Sequence, residues 1–189
     1  MTKAYLIKQL EQIENAKRQN RLYVANIVLE NKELFPFLID IVFTASNKTG
    51  IKAAWILELV CERKLDWLLQ YLTYFTENLK FLKHDSAVRP ASKICMFLAQ
   101  SYASKKNIMV KDILTKTHTD HIIETGFDWM IGTHKVATKA YTMQTLYLFG
   151  KNNDWVHEAL KLIIQQNIMT ESAAYKARGK MTLNLINKK

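Results

Sequence analysis

Large apolar residues recur at spacings of three and four through most of this chain, and the period of two that marks half-buried strands is absent, so the pattern predicts helices. The segment before residue 30 holds Leu6, Leu10 and Ile13, then Leu22, Val24, Ile27, Val28 and Leu29. The polar stretch from Asn15 to Arg21 lies between them, which predicts two short helices or one bent helix. From Asn31, read as an N-cap, LFPFLIDIVF predicts a helix that accepts Pro36 in its first turn, where the missing N–H has no partner to lose. A turn over residues 46–50 leads to a returning helix, Ile51 to about Arg63. Leu65, Leu68, Leu69, Leu72, Phe75, Leu79 and Leu82 predict the next helix, and DSAVRPASKICMFLA its return, capped by Asp85 or Ser86, with Pro90 in the first turn or so. Residues 101–120 lack a clean period and read as an enlarged connection with room for a short helix. HIIETGFDWMI then pairs with HKVATKAYTMQTLYLF, stopped by Gly150 in a left-handed conformation, and DWVHEALKLIIQQ pairs with ESAAYKARGKMTLNLI.

One phrase recurs within this pattern: a turn, then a helix that opens with small and basic residues and closes with large apolar ones. Aligning NKTGIKAAWILELV, HDSAVRPASKICMFLA, GTHKVATKAYTMQTLYLFG and the weaker TESAAYKARGKMTLNL puts Ala54, Ala91, Ala140 and Ala177 in one column. Ile51, Val88, Ala137 and Ala174 share a second column. Asp66-Trp67, Asp128-Trp129 and Asp154-Trp155 echo one another in the first helices of the pairs. An internal repeat of this kind predicts an all-α chain, an α-α superhelix of about four divergent repeats, 31–64, 65–105, 106–151 and 152–189, behind an N-terminal helical cap at 1–30. The whole of 1–189 is then one domain.

Composition agrees: 49% of the 189 residues are apolar, and 5 glycines and 2 prolines leave little material for hairpins or linkers. Cys61 and Cys95 fall in apolar helical stretches and read as buried hydrophobes. The N-terminal segment lacks the uninterrupted apolar core of a signal peptide, and the longest apolar run, Leu34 to Phe43, is broken by Asp40. A cytoplasmic protein without membrane contact is expected. The formal net charge of +10, from 27 basic against 17 acidic residues, is the one anomaly, and it favours phosphate-rich or acidic partners.

Candidate chemistry is sparse. His118, Asp120 and His121, with His134 nearby, form the most metal-like cluster, but no zinc spacing such as HExxH accompanies them, and they read as an incidental surface group. His84 and His157 read as capping or surface residues. A phosphate-binding glycine loop and a GxSxG elbow are missing. No catalytic, cofactor or metal residues are therefore assigned.

DSAVRPASKICMFLA, preceded by the proline-bearing ELFPFLIDIV, resembles the HEAT repeat, in which one helix leads through a short turn to a second that opens with small and basic residues; the likeness spans about residues 31–188. LFPFLIDIVF, AAWILELVCE, FTENL, HDSAVRPASKIC, FDWM and KAYTMQTLYLFGK together resemble a family of small bacterial proteins commonly labelled adenylosuccinate lyase. That label implies elimination of fumarate from a succinyl-purine nucleotide by a serine base on a mobile loop. The Met-Pro-x-Lys-x-Asn continuation of that loop is missing here, since neither Pro36 nor Pro90 follows a methionine. The chain is also similar to HEAT-like DNA glycosylases, which work on a basic concave face with tryptophans and an aspartate. That likeness implies a groove lined by Lys52, Arg89, Lys93, Lys139 and Lys176, which lie early in the returning helices but in staggered columns. The expectation is a non-catalytic binding or scaffold protein whose basic concave surface, on these five residues, takes a protein partner. Nucleic-acid binding or glycosylase-like activity is the alternative, with the lyase activity of the family label below it. Oligomeric state is left open.

Overall fold

A computed structural model describes residues 1–45, 47–104 and 108–188. Among the described residues the chain forms eleven α-helices joined by short 3₁₀ segments, with no strand. Ser46 of the expected turn, residues 105–107 of the expected connection and Lys189 of the basic tail lie outside the described residues. No helix among those described is long and apolar enough to cross a membrane. Contacts divide the chain into two compact units, one from Met1 to Ile94 and one from Cys95 onward.

In the first unit, α1 (Lys3–Glu11) and α2 (Arg18–Glu30) are separate helices, and α3 (Phe35–Thr44) carries Pro36 in its first turn as expected. α4 (Asn47–Arg63) is the centre, with α1, α2 and α3 all packed on it. Its buried residues include Ala53, Ala54, Ile56, Leu57, Leu59, Val60 and Cys61, which leaves little of its circumference to solvent. Gly50 does not break the chain in a turn; it lies inside α4, where a Cβ would sit 3.2 Å from the Val42 carbonyl oxygen, so it permits close approach to the end of α3. Asn31 does not cap the following segment by its side chain. Its amide donates to the Ile27 carbonyl at 2.8 Å and closes α2 instead.

The stretch expected as one helix from Leu65 to Leu82 is divided. Residues Leu65–Tyr71 are 3₁₀, α5 is Leu72–Asn78, and Leu79–Phe81 is again 3₁₀. Leu68, Leu72, Phe75 and Leu79 are all buried, so the apolar spacing of three and four carries through the division. Trp67 is buried in the same stretch, its ring edge-on to Phe35 at 5.7 Å.

α6 (Asp85–Ala103) contributes its first part to the first unit and the rest to the second. Pro90 lies in its interior and not in the first turn. The proline supplies no N–H to the Ser86 carbonyl four residues back. That carbonyl accepts instead from the Trp55 indole N–H at 2.9 Å, so the proline is accommodated by a side chain of α4.

The second unit contains α7 (Ile108–Ile113), α8 (Lys116–Ile131), α9 (Val136–Phe149), α10 (Asp154–Asn167) and α11 (Ala173–Asn187). The enlarged connection is therefore largely helical where it is described. α9 plays the part that α4 plays in the first unit, since α8, α10 and α11 all pack on it. Gly150 ends α9 at φ −68°, a right-handed conformation, and no glycine among the described residues has a positive φ. The reason for glycine is steric: a Cβ would fall 2.2 Å from Cδ2 of His157. His157 is buried and not a surface residue. Its ring stacks on Tyr147, and Nε2 lies 2.9 Å from the Tyr147 carbonyl oxygen.

Candidate interaction surface

Helical spacing builds one face of the first unit. Trp55, Glu58 and Glu62 share a stripe of α4, Ser86, Arg89 and Lys93 a stripe of α6, and Arg18 and Arg21 one turn of α2. Glu58 is buried, and α4 is apolar nearly all round, so its charge requires partners. Arg89 donates to one carboxylate oxygen at 2.8 Å and Lys93 to the other at 3.0 Å. Lys93 also lies 3.6 Å from Glu62, which Arg18 reaches at 3.4 Å. Arg21 stands with its guanidinium 6.0 Å from the centre of the Trp55 ring, and its Nε is buried without a hydrogen-bond partner. Burial lowers the Arg21 pKa, while the Glu58 charge works against that shift. Four cations thus surround two carboxylates and a half-buried tryptophan.

Of the five lysines and arginines expected to line one groove, Lys52, Arg89 and Lys93 belong to the first unit and Lys139 and Lys176 to the second. Arg89 and Lys93 come together on Glu58. Lys52, in the same unit, donates to the Glu11 carbonyl at 3.0 Å, a cation at the negative end of α1. Lys139 is not a surface residue: it is buried in α9, bonded to Glu171 at 2.6 Å, with Nζ 5.7 Å from the centre of the Tyr175 ring. Lys176 is half-buried on α11. Tyr175, fully buried beside this pair, has a hydroxyl without a hydrogen-bond partner, and burial, reinforced by Glu171, pushes its pKa up to about 12.

The histidine cluster does not converge either, and it lies on α8, not in a connector. The Nδ1 of His118 accepts from the Thr115 backbone N–H at 3.2 Å, completing a capping box. Asp120 pairs with Lys116 at 2.6 Å, and Nδ1 of His121 is buried without a partner. Among the described residues no group of three or more His, Cys, Asp or Glu side chains could hold a metal ion. Cys61 and Cys95 are buried free thiols, and burial raises the pKa of each. The tryptophans of the Asp-Trp echo are not equivalent: Trp67 and Trp129 are buried, whereas Trp155 is exposed beside Phe127.

Sequence reasoning missed Trp55, Glu58, Glu62, Arg18 and Arg21. The available signal was Glu58 itself, a lone carboxylate inside AAWILELVC. Comparison of the chain with models of known protein families, with curated proteins and with solved structures found no match in any of the three.

Proposed function

We propose that the chain is a non-catalytic binding protein, built from divergent HEAT-like helix pairs, whose positively charged face on α2, α4 and α6 holds an acidic protein partner. The observation that carries this reading is the cation-rich cluster around Trp55 and Glu58. Arginine and tryptophan together are the residues that dominate the energetics of protein–protein interfaces. Arg18 is well exposed, and the ion pairs to Glu58 hold Arg89 and Lys93 in place before any partner arrives, which lowers the ordering cost of binding. The two glutamates favour a protein over a nucleic acid. Glu62 is partly exposed within the face and repels a phosphate backbone, and each cation paired with a carboxylate is one fewer to release counterions.

The test is co-purification with the tagged chain at low and moderate salt, for the wild type and for Arg18→Glu, alongside duplex and single-stranded DNA binding under the same conditions. An acidic protein retained by the wild type and lost from Arg18→Glu supports the reading. Steeply salt-dependent DNA binding would move the function to nucleic acid, and retention unaffected by the charge reversal would overturn the assignment of the face.

A further inference from the structure

The four cations of the face on α2, α4 and α6 do not stand in the same condition. Arg89 and Lys93 donate to the two oxygens of Glu58, and Arg18 reaches Glu62 at 3.4 Å. Arg21, one turn along α2 from Arg18, has neither hydrogen bond nor ion pair from its side chain among the described residues. Glu58 attracts it through space, but both oxygens of that carboxylate are already taken, and Arg18 and Arg89 repel it. What holds Arg21 is Trp55. The guanidinium lies 6.0 Å from the centre of the ring, a contact that consumes none of its donors. The ring is fixed in turn by its indole N–H, which donates to the Ser86 carbonyl at 2.9 Å.

Nε of Arg21 is sealed from water without an acceptor, while the side chain as a whole is half-buried, so the guanidinium is dry along one edge and open at its terminal nitrogens. A guanidinium is rigid and weakly hydrated, and losing part of that hydration strengthens its pull on an anion. Its parallel N–H groups match the two oxygens of a carboxylate. A single negative charge suits the surroundings, because a dianion would also meet Glu58 and the partly exposed Glu62. On the protein-binding reading, which this requires, we infer that Arg21 is the anchor of the positive face: its terminal nitrogens receive one aspartate or glutamate carboxylate of the partner protein, seated beside the Trp55 ring.

The test is titration of the full chain with an acetylated repeat peptide of glutamate and alanine, followed by the Arg21 Nε–H resonance in heteronuclear NMR spectra. A saturable shift of that resonance is expected, and none with the glutamine counterpart of the peptide. Arg21→Lys keeps the charge and loses the fork, so binding should weaken about tenfold. Arg18→Gln should weaken it by about threefold or less, since Arg18 is exposed and already paired. Both variants lie on the surface of α2 and should melt with the wild type. Saturable binding with the resonance unmoved, binding undiminished in Arg21→Lys, or no binding at all would overturn the anchor. A phosphoserine counterpart bound more tightly than the glutamate peptide would overturn the carboxylate. In co-purification, a partner lost from Arg18→Glu but fully retained by Arg21→Lys would sink the anchor alone, whereas retention by Arg18→Glu would sink the protein-binding reading and the anchor together.

Discussion

Replacing Glu58 by glutamine keeps the shape of the side chain and removes its charge, which makes it the sharpest test of how the first unit is organised. The carboxylate accepts two charge-assisted hydrogen bonds, at 2.8 Å from Arg89 and 3.0 Å from Lys93. Bonds of this kind contribute about 1.5–3 kcal/mol each, and removing one partner of a buried pair costs about 3–5 kcal/mol. Two features pull the expected loss to the lower end. The Arg89 and Lys93 side chains keep 28% and 16% exposure and recover some hydration, and the glutamine carbonyl still accepts one bond. A destabilisation of about 3 kcal/mol follows, which for a chain of this size lowers Tm by about 6–12 °C. Guanidinium unfolding should shift its midpoint with the slope unchanged. In a double-mutant cycle with Arg89→Met, the two losses should fail to add by at least about 1 kcal/mol. A loss below about 0.5 kcal/mol, or simple additivity, would refute the claim that Glu58 is a buried charge held by these two cations.

Three further outcomes are expected. Trp55→Phe removes the donor to the Ser86 carbonyl and should cost about 1 kcal/mol by chemical denaturation; in a Pro90→Ala background, where a backbone N–H returns to that carbonyl, most of this cost should vanish. Gly150→Ala drives a methyl into His157, which must leave the Tyr147 carbonyl, so a loss of about 2–3 kcal/mol is expected, partly relieved when His157→Ala is added. Tyr175→Phe removes an unpartnered buried hydroxyl and should raise stability by on the order of 1 kcal/mol at neutral pH. The Tyr175 pKa, near 10 in the unfolded chain, is about 12 in the folded protein, so the stability it contributes is complete below about 10 and is lost as pH rises through about 12. The phenylalanine variant should show a shallower alkaline decline, and equal declines in both proteins would refute the assignment.

The helices were legible because a spacing of three and four is a property of the chain itself. Arg89 and Lys93 were legible as neighbours for the same reason, being four apart on one helix. What escaped was every feature decided by a partner distant in sequence. Pro90 reads as a first-turn residue because an interior proline leaves a carbonyl without its N–H, and only α4 supplies the indole that satisfies it. Gly150 reads as a left-handed stop, yet its reason is a histidine on the next helix. Lys139, among small and polar residues in VATKAYTM, reads as a surface cation, and only Glu171 explains how it can be buried.

Each unit centres on a helix covered on most sides, and each of these helices carries one buried charge: Glu58 in α4 and Lys139 in α9. Replacing a whole buried ion pair, both partners together, by well-packed apolar residues is often neutral or stabilising, so the charges are poorly explained as sources of stability. They are better explained by register. Leucine and isoleucine tolerate a neighbouring helix displaced by a turn, whereas Glu58 does not, because such a slip of α6 would carry Arg89 and Lys93 past it and leave a carboxylate in an apolar helix. Lys139 sets the same condition on Glu171, which precedes the N-cap residue of α11. Fixing the register of α6 also fixes where Arg89 and Lys93 stand beside Trp55. The buried glutamate thereby organises the positive face, and the residue that specifies the packing of the first unit is also the one that arranges the surface we propose for binding.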